Sequence, residues 1–309
     1  MTREVPIGPA VELLDRGDQL FAQRKYVEAR RTYAQAVNAG GPNHAYVEAC
    51  AQVARMDSLQ GQMREGEPWL RMGLSRASAA EPLGWSRIQL VLGIFERESG
   101  DRATATQRFK DLYAYDLKHG LYERAIDAAH HVVLASEDPG EQLLWSRKGI
   151  EAAEEGGLQG WLAVLWNNMG ASLEDQGRWP DALIAYEEAR TYHYAVGSDH
   201  AKLVADWAVA RAMRHVDRLD EAREISERTA EWARLRYDDE PSAERAEWVG
   251  YTLWELAELD ALDGEMELAV DQLREARARL IEAGIETWGD FGTKELMKLD
   301  LRLGELTGK

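Results

Sequence analysis

The sequence has one cysteine, no long apolar run and an excess of acid over base. Cys50 is the single cysteine in 309 residues, so this chain alone builds no disulfide framework and no multi-thiolate metal site. The first residues contain no apolar signal segment, and no later stretch approaches the ~18 apolar residues of a membrane span. We therefore expect a reducing, cytoplasmic location. With 37 basic and 55 acidic residues the formal charge is -18, which argues against nucleic acid and anionic membranes as partners.

The composition is that of a folded chain. Hydrophobic residues make up 45% and charged residues 30%, which is enough to bury a sizeable core. At about 150 residues per domain the length allows two domains, although a repeat array can continue as one unit. No linker rich in Pro, Gly or Ser divides the sequence. We therefore expect a single domain over residues 1–309.

An internal repeat organises the sequence, and almost no segment has the pattern of a strand. In six segments a small residue precedes, by sixteen positions, a residue that is usually large and apolar. The small residues are Gly17, Ser58, Gly93, Gly170, Ala210 and Ala257, and their counterparts are Tyr33, Leu74, Phe109, Tyr186, Ser226 and Leu273. This spacing predicts helical hairpins, in which the small residue lets a second helix cross closely. Such hairpins must stack to bury their apolar faces.

One segment carries a family resemblance. Trp166 to Gly170, followed by Leu173, Ala182, Tyr186 and Ala189, resembles the consensus of the tetratricopeptide repeat (TPR) family. The spacing between repeats exceeds the family's ~34 residues, which is similar to kinesin light chains and bacterial TPR sensor proteins. The resemblance covers residues 10–283 and implies an all-α, right-handed TPR-like superhelix of about seven hairpins. The fourth hairpin, around His130 and Trp145, departs from the repeat, and Pro42 and Pro82 are predicted to lie between hairpins. Residues 286–306 are predicted to form a C-terminal capping helix, with an apolar stripe that includes Leu296, Leu299, Leu301, Leu303 and Leu306.

Signatures of enzyme chemistry are missing from the sequence. It contains no P-loop string, no Gly-x-Ser-x-Gly elbow and no His-Glu-x-x-His motif. His130 and His131 are adjacent, so they point about 100° apart on a helix and do not form a shared metal site. We expect no enzymatic activity, no cofactor and no metal, and we expect Cys50 to be a buried thiol. A site around His119, His130 and His131 is the enzymatic alternative.

The resemblance also implies a binding surface, because in this family the first helix of each hairpin lines a concave groove. It places eight residues in or near the groove: Asn167, Asn168, Trp207, Arg211, Arg214, His215, Tyr251 and Trp254. In the family, an asparagine here can bond the backbone of a bound peptide. Arginine offers a planar fork for carboxylate, and tryptophan offers contact area. Arg55, Arg87 and Arg97 occupy related positions upstream, and the tryptophans could instead fill gaps between hairpins.

We therefore expect a non-enzymatic protein–protein interaction module, a scaffold or adaptor that holds a peptide or partner-protein segment in its concave groove. An acidic or C-terminal segment would suit the arginines. The alternative is a ligand-responsive TPR sensor, which binds a short peptide or small molecule and regulates an effector protein. A narrow, closed groove would favour the sensor and an open one the scaffold. Self-association is open in both cases.

Overall fold

The chain is helical throughout the part described by the structure, a computed structural model. The description covers residues 8–308, apart from the side chain of Asp290. Within this range there are fifteen α-helices, one short 3-10 turn and no strand, so the all-α prediction is confirmed. No described helix is both long and apolar enough to cross a membrane. By packing, the chain divides into an N-terminal unit, Met1–Leu158, and a C-terminal unit, Gln159–Lys309.

The N-terminal unit consists of four helical hairpins. Each odd-numbered helix packs against the next, and the odd-numbered helices also pack against one another in sequence. The helices are α1 (Pro9–Ala22), α2 (Tyr26–Asn38), α3 (Asn43–Leu59), α4 (Met63–Leu74), α5 (Pro82–Glu98), α6 (Arg102–Lys118), α7 (Tyr122–Ala135) and α8 (Pro139–Glu155). The predicted fourth hairpin is therefore present, as α7 and α8.

The C-terminal unit consists of three hairpins and a final helix. Its helices are α9 (Gln159–Asp175), α10 (Trp179–Val196), α11 (Asp199–His215), α12 (Leu219–Asp239), α13 (Ala243–Leu262), α14 (Met266–Glu282) and α15 (Gly289–Thr307), with a 3-10 turn at Ile285–Thr287. Helix α15 packs on α14. The prediction of one continuous domain over the whole chain stays a prediction.

The small residues of the repeat sit where the two helices of a hairpin cross. A Cβ atom added at Gly170 in α9 would lie only 2.5 Å from the ring of Tyr186 in α10. Gly17 faces Tyr33 and Gly93 faces Phe109 in the same way. Because only a hydrogen fits beneath each ring, the helices approach closely and the ring is buried. The spacing in the sequence therefore identified a real contact in these hairpins.

The second hairpin makes its close contact differently. The sequence pattern gives Ser58 in the first helix as the small residue of this hairpin. In the structure, glycines of α4 also approach closely: a Cβ at Gly66 would lie 3.1 Å from a backbone oxygen of α3, and one at Gly73 would lie 3.1 Å from the Cβ of Cys50. The spacing did not predict this approach by the second helix.

The turns between paired helices follow the sequence signals. Gly100, Gly177 and Gly264 have φ of 95°, 70° and 87°, the left-handed region that favours glycine at helix ends. Pro42 caps the start of α3, and Pro82 occupies the first turn of α5. Both prolines therefore lie between hairpins, as predicted.

The final helix buries one apolar edge against the last hairpin. Leu299 is fully buried in a cluster with Leu273 and Leu280, and Leu296, Leu303 and Leu306 pack around that cluster. Leu301, also part of the predicted stripe, is 67% exposed and lies on the opposite side. The helix starts a few residues later than predicted because the 3-10 turn intervenes. It therefore covers the last hairpin, as expected of a cap.

We predict that alanine at Gly170 and at Gly160 will have opposite effects on stability, although both positions lie in α9. Gly170→Ala should lower the free energy of unfolding by about 1–3 kcal/mol, because the new methyl overlaps the Tyr186 ring. At Gly160 nothing lies within 4 Å, so alanine should raise stability by up to about 1 kcal/mol through its helix propensity. Urea unfolding followed by circular dichroism measures both. Equal effects at the two positions would contradict the close crossing.

Candidate functional site

A cavity of about 540 Å³ lies within the C-terminal unit. Its walls come from the first helices of the three hairpins, α9, α11 and α13, and from the final helix α15. Tyr186 of α10 also contributes to the wall. The volume falls in the range of about 300–1,000 Å³ that is typical of ligand pockets. This cavity is the candidate site.

Aromatic rings form one side of the cavity. Trp207 on α11 and Tyr251 on α13 are half-buried, with ring centroids 5.3 Å apart. Tyr251 in turn lies parallel to Trp254, at 6.5 Å. Trp254 also packs against the core and lines a smaller recess of about 140 Å³, which Trp207 shares. The sequence left open whether the tryptophans line the groove or fill gaps between hairpins. Trp207 lies in a cavity wall, and Trp254 belongs to both wall and core.

Arg211 is held between aromatic rings and a carboxylate. Its guanidinium carbon is 5.0 Å from the centroid of Trp207 and 5.8 Å from that of Trp179. The same guanidinium contacts the carboxylate of Glu174 on α9. Burial lowers the pKa of Arg211, and the nearby Glu255 opposes this shift. The predicted ligand group therefore lines the cavity, but it already has an internal partner.

Arg214 is committed to a buried ion pair. Its Nε and Nη2 donate to the two carboxylate oxygens of Glu255 at 2.6 and 3.1 Å. The side chain of Glu255 is only 3% exposed. Burial raises the pKa of Glu255, and Arg214 acts against that rise. Because both arms of its fork are occupied, Arg214 holds α11 to α13 and has no free fork for a ligand.

Of the remaining predicted site residues, some line the cavity and others do not. Asn167 lines the cavity, whereas Asn168 is exposed on another face, and its carbonyl accepts the hydroxyl of Ser172. Adjacent helical residues point about 100° apart, so only one of the pair can face inward. His215 stacks on Trp179 at 3.6 Å, outside the walls of both cavities. Partial burial, Arg214 and Arg211 lower the pKa of His215 to about 4.

The final helix supplies a wall that sequence reasoning missed. Phe291, Lys294, Glu295 and Lys298 of α15 all line the cavity. Glu295 is buried and accepts a hydrogen bond from Lys298 at 2.7 Å. The sequence indicated a helix here, but its apolar stripe says only which edge packs on α14. Nothing in the pattern indicated that the neighbouring face meets α11 and α13.

Other wall residues could have been found by extending the predicted stripes. Glu247 lies four residues before Tyr251, and His200 lies seven residues before Trp207. Both line the cavity. Burial raises the pKa of Glu247. Trp248 Nε1 and the hydroxyl of Tyr251 are buried and have no hydrogen-bond partner among the described residues. Two polar groups are therefore left unsatisfied in residues of this wall.

The upstream candidates lie in the N-terminal unit. Arg55 and Arg87 bond Asp127 on α7, and Arg97 bonds His131 on the same helix. The histidines do not form a metal site: within residues 8–308, no group of His, Cys, Asp and Glu could hold a metal ion. Cys50 is fully buried, and burial raises its pKa to about 11, as a buried thiol requires.

Comparison with solved structures identifies the fold. No protein-family model matches the chain, and neither does any curated protein. The apo form of RapI aligns with a TM-score of 0.68 at 9% identity, over 94% of this chain and 84% of that one. The fold is that of a TPR-like repeat protein. The resemblance drawn from residues 166–189 is therefore confirmed at the level of fold.

Two further structures are similar to this TPR-like chain. A signal transduction ATPase with a tetratricopeptide repeat sensor, from Pyrococcus horikoshii, aligns over 95% of this chain with a TM-score of 0.58 at 14% identity. This chain spans 47% of the length of that protein. The C-terminal part of a TPR repeat-containing protein from Cytophaga hutchinsonii has a TM-score of 0.53 at 12% identity, over 86% of this chain and 94% of that one. At such identities the likeness shows the fold alone.

We predict that Arg214→Met will cost about 3–5 kcal/mol of unfolding free energy at pH 7.5, because it leaves Glu255 buried without its partner. The cost should shrink toward pH 5. Without Arg214, the pKa of Glu255 in the folded chain rises further above its pKa in the unfolded chain. Between these two pKa values Glu255 carries a proton in the folded state and not in the unfolded state. Relative stability must then rise as pH falls. Urea unfolding of the variant and the unmodified chain at both pH values measures the difference.

The double variant Arg214→Met with Glu255→Met is the control. It should recover most of the lost stability and show little of the extra pH dependence, because no buried charge is left. If Arg214→Met alone is as stable as the unmodified chain at pH 7.5, the pair does not have this structural role.

Proposed function

We propose that this TPR-like protein is a non-enzymatic interaction module that holds a peptide or partner-protein segment in the cavity of its C-terminal unit. The observation that carries the proposal is the cavity of about 540 Å³ on the first helices of three successive hairpins. Its aromatic wall of Trp207 and Tyr251 offers large contact area at low entropic cost. These are features of a binding surface.

The charged groups around the cavity support binding over catalysis. Arg211 contacts Glu174, and Lys298 donates to Glu295, so four of the ionisable wall residues are engaged with one another. Acid–base catalysis needs carboxyl groups with separated pKa values that converge on a substrate. Groups already paired in this way act mainly to hold the walls in place.

The paired arginines bear on the partner's chemistry. An acidic or C-terminal segment would have to compete with Glu174 for Arg211 and with Glu255 for Arg214. Lys294 lines the cavity from α15 and is exposed, so a ligand carboxylate can reach it. The unsatisfied Trp248 Nε1 and Tyr251 hydroxyl suit backbone carbonyls if the walls adjust. We propose that aromatic and backbone contacts supply most of the affinity.

A second candidate function is a ligand-responsive sensor, and one observation favours it. Helix α15 forms a wall of the cavity, so a ligand there would contact the helix that also packs on α14 and on the 3-10 turn. Binding would then stabilise one placement of α15 over others and alter the surface it presents to an effector. Such a wall also suits a short peptide better than a long segment.

We predict that filling the cavity will abolish binding. Ala171 is an exposed wall residue of α9, so Ala171→Trp should occupy the cavity without removing a core side chain. Ala278→Trp, at an exposed position of α14 outside the cavity walls, is the matched control. Each purified chain is incubated with a library of short synthetic peptides, and retained peptides are identified by mass spectrometry. Peptides held by the unmodified chain and the control should fall about tenfold or more with Ala171→Trp.

Retention of the same peptides by Ala171→Trp would place binding outside the cavity and overturn the proposal. Amide hydrogen exchange with a recovered peptide then separates the two candidate functions. Slower exchange throughout α15 would support the sensor, whereas protection limited to α9, α11 and α13 would support the scaffold.

A further inference from the structure

A second charged cluster lies in the N-terminal unit, on the first helices of three successive hairpins. Arg55 comes from α3, Arg87 and Arg97 come from α5, and Asp127 and His131 come from α7. The three arginine side chains are 14%, 15% and 17% exposed, so they are mostly withdrawn from solvent but still reachable. We call these five residues the arginine cluster.

One carboxylate serves two arginines in this cluster. Arg55 and Arg87 each donate a single Nη1 hydrogen bond, at 3.2 and 3.4 Å, to the same oxygen, Oδ2 of Asp127. Burial by itself would raise the pKa of Asp127, but Arg55, His131 and Arg87 outweigh it and hold that pKa well below its usual range. Asp127 is therefore charged, yet it balances only one of the two guanidinium groups.

The third arginine, Arg97, pairs with other groups and brings no acceptor to Arg55 or Arg87. Arg97 donates through Nη1 to Nδ1 of His131 at 3.2 Å and pairs outward with the half-exposed Glu98. Burial lowers the pKa of His131 to about 3, so this ring is neutral at physiological pH. His131 Nε2 lies 3.6 Å from Asp127 and has no hydrogen-bond partner among the described residues.

Other carboxylates lie on the neighbouring helices, but in the described part of the chain none besides Asp127 accepts a hydrogen bond from Arg55 or Arg87. Asp116 on α6 is fully buried, burial raises its pKa to about 7, and nearby Ser86, Arg124 and Arg87 oppose that rise. Glu48 on α3 is already paired with Arg124. On its outer side, Arg55 lies over the ring of Phe21 at 5.3 Å. Among the described residues, Asp127 is thus the one carboxylate acceptor for both Arg55 and Arg87.

Elsewhere in the same unit, a partly buried arginine is fully matched. Arg108 donates to both oxygens of Glu96, at 2.8 and 2.6 Å. By contrast, Arg87 uses one donor on Asp127, and its buried Nε has no partner in the described part of the chain. Guanidinium groups withdrawn from water favour planar, two-point acceptors. The arginine cluster lacks one such acceptor.

From this mismatch we propose that the arginine cluster binds an oxyanion with at least two acceptor oxygens, a carboxylate or a phosphate, bridging Arg55 and Arg87. The anion would supply the second acceptor for these forks. This site is independent of the proposed peptide cavity, since all its residues belong to the N-terminal unit.

The test is titration of the full chain with inorganic phosphate and, separately, with succinate, at constant ionic strength and with chloride as the reference. Arginine Nε–H signals in nitrogen-15 NMR spectra report binding, and calorimetry gives the affinity. We expect saturable binding of at least one of the two anions, with a shift of the Arg87 signal. Which anion binds more tightly distinguishes the phosphate source from the carboxylate source.

Variants connect binding to the cluster. Arg87→Gln should weaken binding about tenfold or more, the usual effect of losing a charge-assisted hydrogen bond. Arg71→Gln, an exposed charge on α4, is the matched control and should leave binding unchanged. Arg55→Lys keeps the positive charge but loses the planar guanidinium, and it should also weaken binding. This variant tests the proposal if Arg87→Gln does not fold.

Asp127→Asn provides an opposite expectation. It removes the internal competitor, so a folded variant should bind the anion more tightly, and its melting temperature should rise more on adding phosphate or succinate than that of the unmodified chain. The proposal is overturned if neither anion binds above the chloride reference, or if Arg87→Gln and Arg71→Gln weaken binding equally.

Discussion

Three of the hairpins depend on a close crossing between a glycine and an aromatic ring. Where Gly170 lies under Tyr186, the crossing uses one face of α9 and buries the ring. Residues elsewhere on the same helix, including Asn167, are then free to face a cavity. Because α11 and α13 present neighbouring faces in the same way, three helices line one cavity while each keeps its core contact.

Buried arginines in this protein are paired with carboxylates in two ways. Arg214 and Glu255 form a two-point pair that satisfies both groups in a buried place. At Asp127 two arginines share one oxygen, and a buried donor of Arg87 is left over. The physical cost of an unsatisfied buried group is the same in both places, so the difference between them is informative. Complete pairs hold helices together, whereas an incomplete one has capacity for a ligand.

Much of the fold followed from the sequence because its signals are local. Gly170 and Tyr186 are sixteen residues apart, a separation set by two helices and one turn, so a single spacing predicts the hairpin. The same reasoning did not predict the close approach in the second hairpin that comes from the glycines of α4. It was also only half right at the asparagine pair, where Asn167 faces the cavity and Asn168 does not.

The sequence by itself determined the helices, their pairing and the faces that pack, because these depend on residue type and on a period of 3.6 residues. Tertiary structure alone decided which charged residues meet. Glu255 is 41 residues from Arg214 and Asp127 is 72 residues from Arg55, and no local pattern connects either pair. Tertiary structure also decided that α15 forms a wall of the cavity. The apolar edge of this helix indicates which side packs on the last hairpin, but not what its other face meets.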